Sequence, residues 1–181
     1  EYKEKFFKIL NDIDLNDKVS KTVEVLKICK RNKSKVILFG NGASASIANH
    51  VSVDLTKNSK IRAINFNESN LITCFSNDYG YENWIQKALE FHSNPGDVVI
   101  LISSSGSSKN IINAAKWCKK NKLQLVSLSG HKKNNQLNRI NRSGISFWIN
   151  SKSYNHVELS HLYILLLIVD TIVGKTDYRI N

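Results

Sequence analysis

His50 and Asp54 lie four residues apart in a segment that opens on two glycines, Gly40-Asn41-Gly42-Ala43-Ser44. A second segment, Ser103 to Ser108, sets five serines around one glycine. Both segments suit an anion. Small residues let backbone N–H groups converge, serine hydroxyls add donors, and a helix starting at the loop presents its positive dipole end. Phosphate is the expected occupant. On a helix, residues four apart share a face. The stripe Ile47, Val51, Leu55 then places His50 and Asp54 within or beside the apolar side. Two titratable groups turned inward near an anion site point to proton chemistry on a phosphorylated small molecule. Read blandly, the same pair is a satisfied core histidine and a surface acid.

The elements that must position these residues are readable. Val36 to Phe39 is a β-branched and apolar run, expected as a buried strand, with a turn through Asn41 and Gly42 and a helix capped by Ser44. Further strands are expected over Ile61–Phe66, Val98–Ile102, Leu123–Leu128 and Gly144–Ile149. Helices are expected over residues 1–33, over Glu68–His92 with a break at Asn77-Asp78-Tyr79-Gly80, and over Asn110–Lys120, Gln136–Ile140 and Val157–Val173. Val98 to Ile102, apolar throughout, reads as a central parallel strand covered on both faces. The alternation predicts an α/β fold, a doubly wound, five-stranded and mainly parallel sheet. An N-terminal helical segment, 1–33, precedes an α/β core over 34–175, all within a single domain, 1–181. In such a sheet ligands bind beyond the strand carboxyl ends, where both special loops begin.

Composition narrows the function. Three cysteines without metal-type spacing suggest a reducing compartment, hence a cytoplasmic protein with buried thiols. The longest apolar run, Ile164 to Val169, is broken by Asp170, so no membrane span of about 20 residues is expected. The net charge of +11 could serve nucleic acid. However, the lysines are scattered and no aromatics are interleaved with them, which disfavours a nucleic-acid partner. No G-x-x-x-x-G-K-[ST] motif is present. Gly40 to Ala45 does fit G-x-G-x-x-A, but the acid expected for a dinucleotide falls late, at Glu68.

In order along the chain, Gly40-Asn41-Gly42-Ala43-Ser44, His50 with Asp54, Asn77-Asp78-Tyr79-Gly80 and Ser103-Ser104-Ser105-Gly106-Ser107-Ser108 resemble the motifs of the SIS (sugar isomerase) domain family. Within it they resemble the phosphoheptose isomerases. The resemblance runs over most of residues 18–175. It implies a cytoplasmic homotetramer with sites shared between subunits. It also implies isomerisation of sedoheptulose 7-phosphate toward a heptose phosphate for lipopolysaccharide or capsule sugars. Phosphate and substrate would be held by Asn41, Gly42, Ser44, Asp78, Ser103, Ser104, Ser105 and Ser108. Moving a carbonyl between C1 and C2 needs a base for a carbon-bound proton and an acid for the enediolate oxygen. No cofactor is required; zinc is the metal that the resemblance implies can be bound.

The departures define the open questions. Where the family has a catalytic Glu this chain has Asp54. The family's Gln and His of the last helix fall on Val157 and Leu165. Glu158 and His161, three apart on the last helix, are the replacements the sequence offers, with His156 a less favoured neighbour. Asp54 or Glu158 would be the base, and His50 and His161 would shuttle oxygen protons. Glu158 and His161 are expected to reach a sugar held by a neighbouring subunit. His50, Asp54, Glu158 and His161 could also compose the zinc site. The alternative to an active isomerase is a catalytically inactive phosphosugar-binding or protein-partner regulatory module. An N-terminal helix that the sheet cannot cover, together with a last helix apolar on most faces, predicts a homo-oligomer.

Overall fold

The described residues of the computed structural model are 1–13 and 15–177. Five parallel strands form one sheet in the order β2-β1-β3-β4-β5, with β1 Val36–Phe39, β2 Ala63–Asn65, β3 Val98–Ser103, β4 Gln124–Ser129 and β5 Ile145–Trp148. Every residue of β1 and β3 is buried, which explains their apolar runs Val36–Phe39 and Val98–Ile102. The chain leaves β1 to one side for β2 and returns to the other for β3. Strand order therefore switches between β1 and β3, and their carboxyl ends are neighbours. At the opposite ends a buried ion pair fixes the same two strands. Lys35 Nζ lies 2.5 Å from Asp97 Oδ2, and Lys35 N donates to Asp97 Oδ1 at 2.9 Å.

Helices cover both faces. α2 (Asn16–Arg31), α3 (Ala43–Lys57) and α8 (Tyr154–Val173) close one core with Leu38, Ile100 and Phe147. α5 (Trp84–His92), α6 (Lys109–Lys120) and α7 (Gln136–Ile140) close the other with Phe39, Leu101 and Trp84. α4 (Ser69–Tyr79) ends at Gly80, where φ is +84°. α1 (Tyr2–Asn11) has no buried residue. By length and composition alone α8 could cross a membrane, contrary to the reading of its sequence. Here it is a core helix, with Ile164, Leu165, Ile168 and Val169 buried against α2, α3 and the sheet.

Three expectations shift. β2 is shorter than Ile61–Phe66, and Ile61, though fully buried, precedes it. Cys29 and Cys118 are buried as expected, but Cys74 is exposed on α4. Burial pushes the Cys118 thiol up to about 12, so it is an inert packing group. Ser44 is not a cap. α3 starts at Ala43 with Gly42 at the N-cap, φ +54°. A glycine can adopt that backbone, so the helix begins before the serine and leaves its hydroxyl free for other work.

Gly40 is required for a different reason. A Cβ there would lie 2.4 Å from the backbone carbon and oxygen of Ser44. Backbone cannot rotate away as a side chain can. Gly40→Ala is therefore expected to cost about 3 kcal/mol. That corresponds to a melting temperature roughly 6–12 °C lower for a chain of this size. A melt within about 2 °C of the parent would contradict the packing described.

Candidate active site

The site lies at the switch point. Its floor is the loop after β3. Gly106, at φ +63°, lets that loop fold back, and its N–H donates to Ser103 O at 2.9 Å. Ser103 and Ser108 hydroxyl oxygens are 3.3 Å apart. Ser108 stands at the N-cap of α6 without a side-chain capping bond, so its hydroxyl remains available beside the dipole end. Asn135 supports the loop from behind. Its amide donates to Ser129 Oγ at 3.0 Å and to the carbonyls of Gly130 and Lys132, and a Cβ on Gly106 would collide with it at 2.2 Å.

The loop after β1 is tied to this floor through paired amides. Asn41 Nδ2 donates to Asn110 Oδ1 at 3.0 Å, and Asn110 Nδ2 returns to Asn41 Oδ1 at 2.9 Å. Tyr81 OH also donates to Asn41 Oδ1, at 3.1 Å. Asn41, Ser44, Ser103, Ser104, Ser105 and Ser108 share one cleft with Tyr154 and Glu158, of about 170 Å³. Small-molecule pockets generally span about 300–1,000 Å³. A single chain thus encloses a cleft of phosphate size and chemistry, smaller than a whole sugar phosphate needs.

Glu158 lies in the second turn of α8, half-buried, on this cleft's wall. Among the described residues it has no hydrogen-bond or ion-pair partner. It faces the serine loop of its own chain, whereas the sequence places it against a neighbour's. His161 does not join it. It is fully buried, with Nε2 3.2 Å from Ser129 O and Nδ1 without a partner. One turn of α8 separates a residue that looks into the cleft from one that looks into the core behind β4. Val157 and Leu165 are also core, at 0% and 1% exposure, so no Gln–His pair is replaced in place. His156 is buried too and stacks on Phe6 with centroids 5.9 Å apart.

Burial drives the His161 imidazole down to about 4, partly opposed by the Ser129 carbonyl, so it is neutral at pH 7. Its folded value lies below the ordinary 6.5. It therefore supports the fold above pH 6.5 and withdraws that support as pH falls toward 4. The full effect is about 3 kcal/mol, of which about 2 kcal/mol is lost by pH 5. His161→Leu is expected to flatten the decline in melting temperature between pH 7 and pH 5 by roughly 4–8 °C. Equal declines in parent and variant would contradict the burial of this ring.

The first-helix pair also differs from expectation. His50 is 57% exposed and Asp54 21%, with Nε2 and Oδ2 3.4 Å apart. Asp54 also accepts from Asn58 Nδ2 at 3.2 Å. The apolar stripe is narrow, and both residues fall on its flank. Between Ser44 and Asp54 the helix rises about 15 Å, too far for both to touch one sugar phosphate end-on within a single chain. Neither lines the serine cleft. Asp78 is exposed on α4, accepting from Asn77 Nδ2 at 2.9 Å, and it does not line the cleft either. Gly42 contributes its backbone as the α3 N-cap.

Zinc does not fit one chain. Among the described residues no three His, Cys, Asp or Glu side chains come together, and His161 faces a carbonyl inside the core. Asn110, Asn135, Tyr81 and Tyr154 were not singled out from sequence. Asn110 had one available signal: a polar residue heading the apolar face Ile111, Ile112, Ala114 and Ala115.

A family model for the SIS domain matches residues 1–130. The phosphoheptose isomerase of Sulfurimonas denitrificans is 33% identical over 178 residues, covering 93% of this chain and 90% of that protein. The phosphoheptose isomerase of Buchnera aphidicola is 31% identical over 169 residues, covering 87% and 86%. In fold, the chain is similar to a phosphoheptose isomerase from Francisella tularensis, with a TM-score of 0.87, 24% identity, and 96% and 95% of the two chains covered. By the family model and by these relatives, the chain belongs to the SIS domain family, in the group of the phosphoheptose isomerases.

Proposed function

We propose that the protein interconverts a ketose and an aldose phosphate of the sedoheptulose 7-phosphate type, in the supply of heptose for lipopolysaccharide or capsule. The observation that carries this reading is Glu158. A carboxylate contributes nothing to holding a phosphate and repels it. One that is half-buried and unpartnered on the wall of a phosphate cleft is placed for proton transfer.

The chemistry follows from the residues. Ser44, Ser105 and Ser108 with the α6 N-terminus hold the phosphate as a remote handle that fixes the reacting carbons. Glu158 takes the proton from the carbon beside the carbonyl, and the electron pair moves onto oxygen to give an enediolate. Returning the proton to the neighbouring carbon completes the shift. The oxygen proton must cross between O1 and O2. His50 and Asp54 of an adjacent subunit supply that exchange, because neither lines its own chain's cleft. Such sharing requires a homo-oligomer, a tetramer in this reading, working in the cytoplasm. It is supported by the exposed apolar residues Leu159 and Tyr163 on α8 and by α1, which buries nothing. His161 has no proton-transfer role here; it positions α8 over β4.

A second reading has its own support. The buried Val157 and Leu165, and the withdrawn His161, are also what a phosphosugar-binding regulator would show. Incubating the protein with sedoheptulose 7-phosphate in deuterium oxide separates the two. Exchange of the C1 proton together with aldose formation supports the isomerase. A rise in melting temperature with sugar phosphate but no exchange supports the regulator.

A further inference from the structure

β5 is the last strand of the sheet, and its side chains alternate. Ile145 and Phe147 enter the core beneath α2 and α8, while Ser146 and Trp148 face the other side. On that side the nearest helix, α7, has only five residues and cannot cover the strand. A cleft of about 730 Å³ results, separate from the serine cleft and sharing no residue with it. Lys18, Lys133, Arg139 and Arg142 converge on it from α2, the loop after β4 and the α7 region, against one acid among the described residues, Asp12. None of the four cations is ion-paired among the described residues. The Lys133 ammonium sits 5.8 Å from the centre of the Trp148 ring. Trp148 Nε1 is buried without an acceptor.

Each feature fits the same kind of ligand. Among the described lining residues the four cations outnumber the acid, Asp12, and such an excess of positive charge attracts a polyanion. Arginine forks match phosphate oxygens two at a time. A flat base can take the place of the Lys133 ammonium over the Trp148 ring, and such stacking contributes about 1–3 kcal/mol. An unpaired buried N–H costs about 1–3 kcal/mol until an acceptor reaches it. The volume lies within the range of small-molecule sites. We propose that the β5-edge cleft binds a nucleoside diphosphate, with its phosphates on Arg139, Arg142 and Lys18 and its base against Trp148.

The cleft is also wired to the serine loop. Ser146 Oγ donates to Asn138 Oδ1 at 2.7 Å, and Ser129 Oγ donates to the same oxygen at 2.9 Å. Ser129 accepts from Asn135, the residue that backs Gly106. An occupant pressing on Ser146 and Asn138 therefore touches the support of the phosphate loop.

Titration calorimetry and tryptophan fluorescence on the full chain with ADP test the site, with inorganic diphosphate and a short single-stranded oligonucleotide as further probes. Saturable ADP binding is expected, weakened about tenfold or more in Arg139→Ala/Arg142→Ala. Trp148→Leu should weaken ADP about fivefold or more while leaving diphosphate unchanged. Ser105→Ala/Ser108→Ala should bind ADP as the parent does. The proposal is overturned by no ADP binding at about 1 mM and low salt. Unchanged binding in the arginine variant, lost binding in the serine variant, diphosphate as tight as ADP, or an oligonucleotide about tenfold tighter also overturn it. The two arginines are exposed, so their variant keeps the test decisive even if Trp148→Leu misfolds.

Discussion

Glu158→Gln is expected to lower kcat about a hundredfold or more while leaving KM for the sugar phosphate nearly unchanged. The substitution keeps the side chain's size and removes only its basicity. Because Glu158 has no partner among the described residues, the amide breaks no existing bond, and folding stability should stay within about 0.5 kcal/mol. Affinity for inorganic phosphate should hold or rise slightly, since a like charge on the cleft wall has been removed. The proton exchange of the substrate in deuterium oxide should fall in parallel with turnover. Full turnover in the variant would remove Glu158 from the reaction and leave Asp54 of a neighbouring subunit as the base.

The sequence made the sheet legible because its signals are local. Val98 to Ile102 is apolar since both faces are covered, and Gln136–Ile140 ends where its short apolar pattern ends. The loops were legible because glycine and serine at strand ends have few other uses. Side-chain direction was not. His50 and His161 both lie beside buried apolar residues on their helices, yet one is exposed and the other is fully buried. What separates them is the neighbour. α8 lies against the end of β4 at Ser129, whereas His50, on the flank of α3, is more than half exposed and pairs only with Asp54 of its own helix among the described residues. The Asn41–Asn110 pair spans 69 residues, and periodicity carries no information about contacts at that range. The start of α3 was misplaced by two residues because a serine is the usual cap, and here a glycine at positive φ does that work.

The serine loop should show the opposite kinetic signature to Glu158. Removing two hydroxyls with Ser105→Ala/Ser108→Ala is expected to raise KM about a hundredfold and to lower kcat less than tenfold. Hydrogen bonds to a charged group contribute about 1.5–3 kcal/mol each, so two account for roughly the 3 kcal/mol that a hundredfold represents. Both hydroxyls have protons to give. Ser105 Oγ accepts from Ser107 N at 3.2 Å and donates to no described residue, and Ser108 Oγ, 3.3 Å from Ser103 Oγ, is not spent on capping α6. The backbone N–H groups at the helix start survive the substitution, which is why binding weakens without vanishing. Ser107→Ala is the control. Its exposed hydroxyl donates only to Ser105 O at 3.3 Å and does not line the cleft, so KM should change less than about threefold. Equal effects from Ser107 and from the Ser105–Ser108 pair would mean that the loop acts through its shape alone, and an unchanged KM in the double variant would place the phosphate elsewhere.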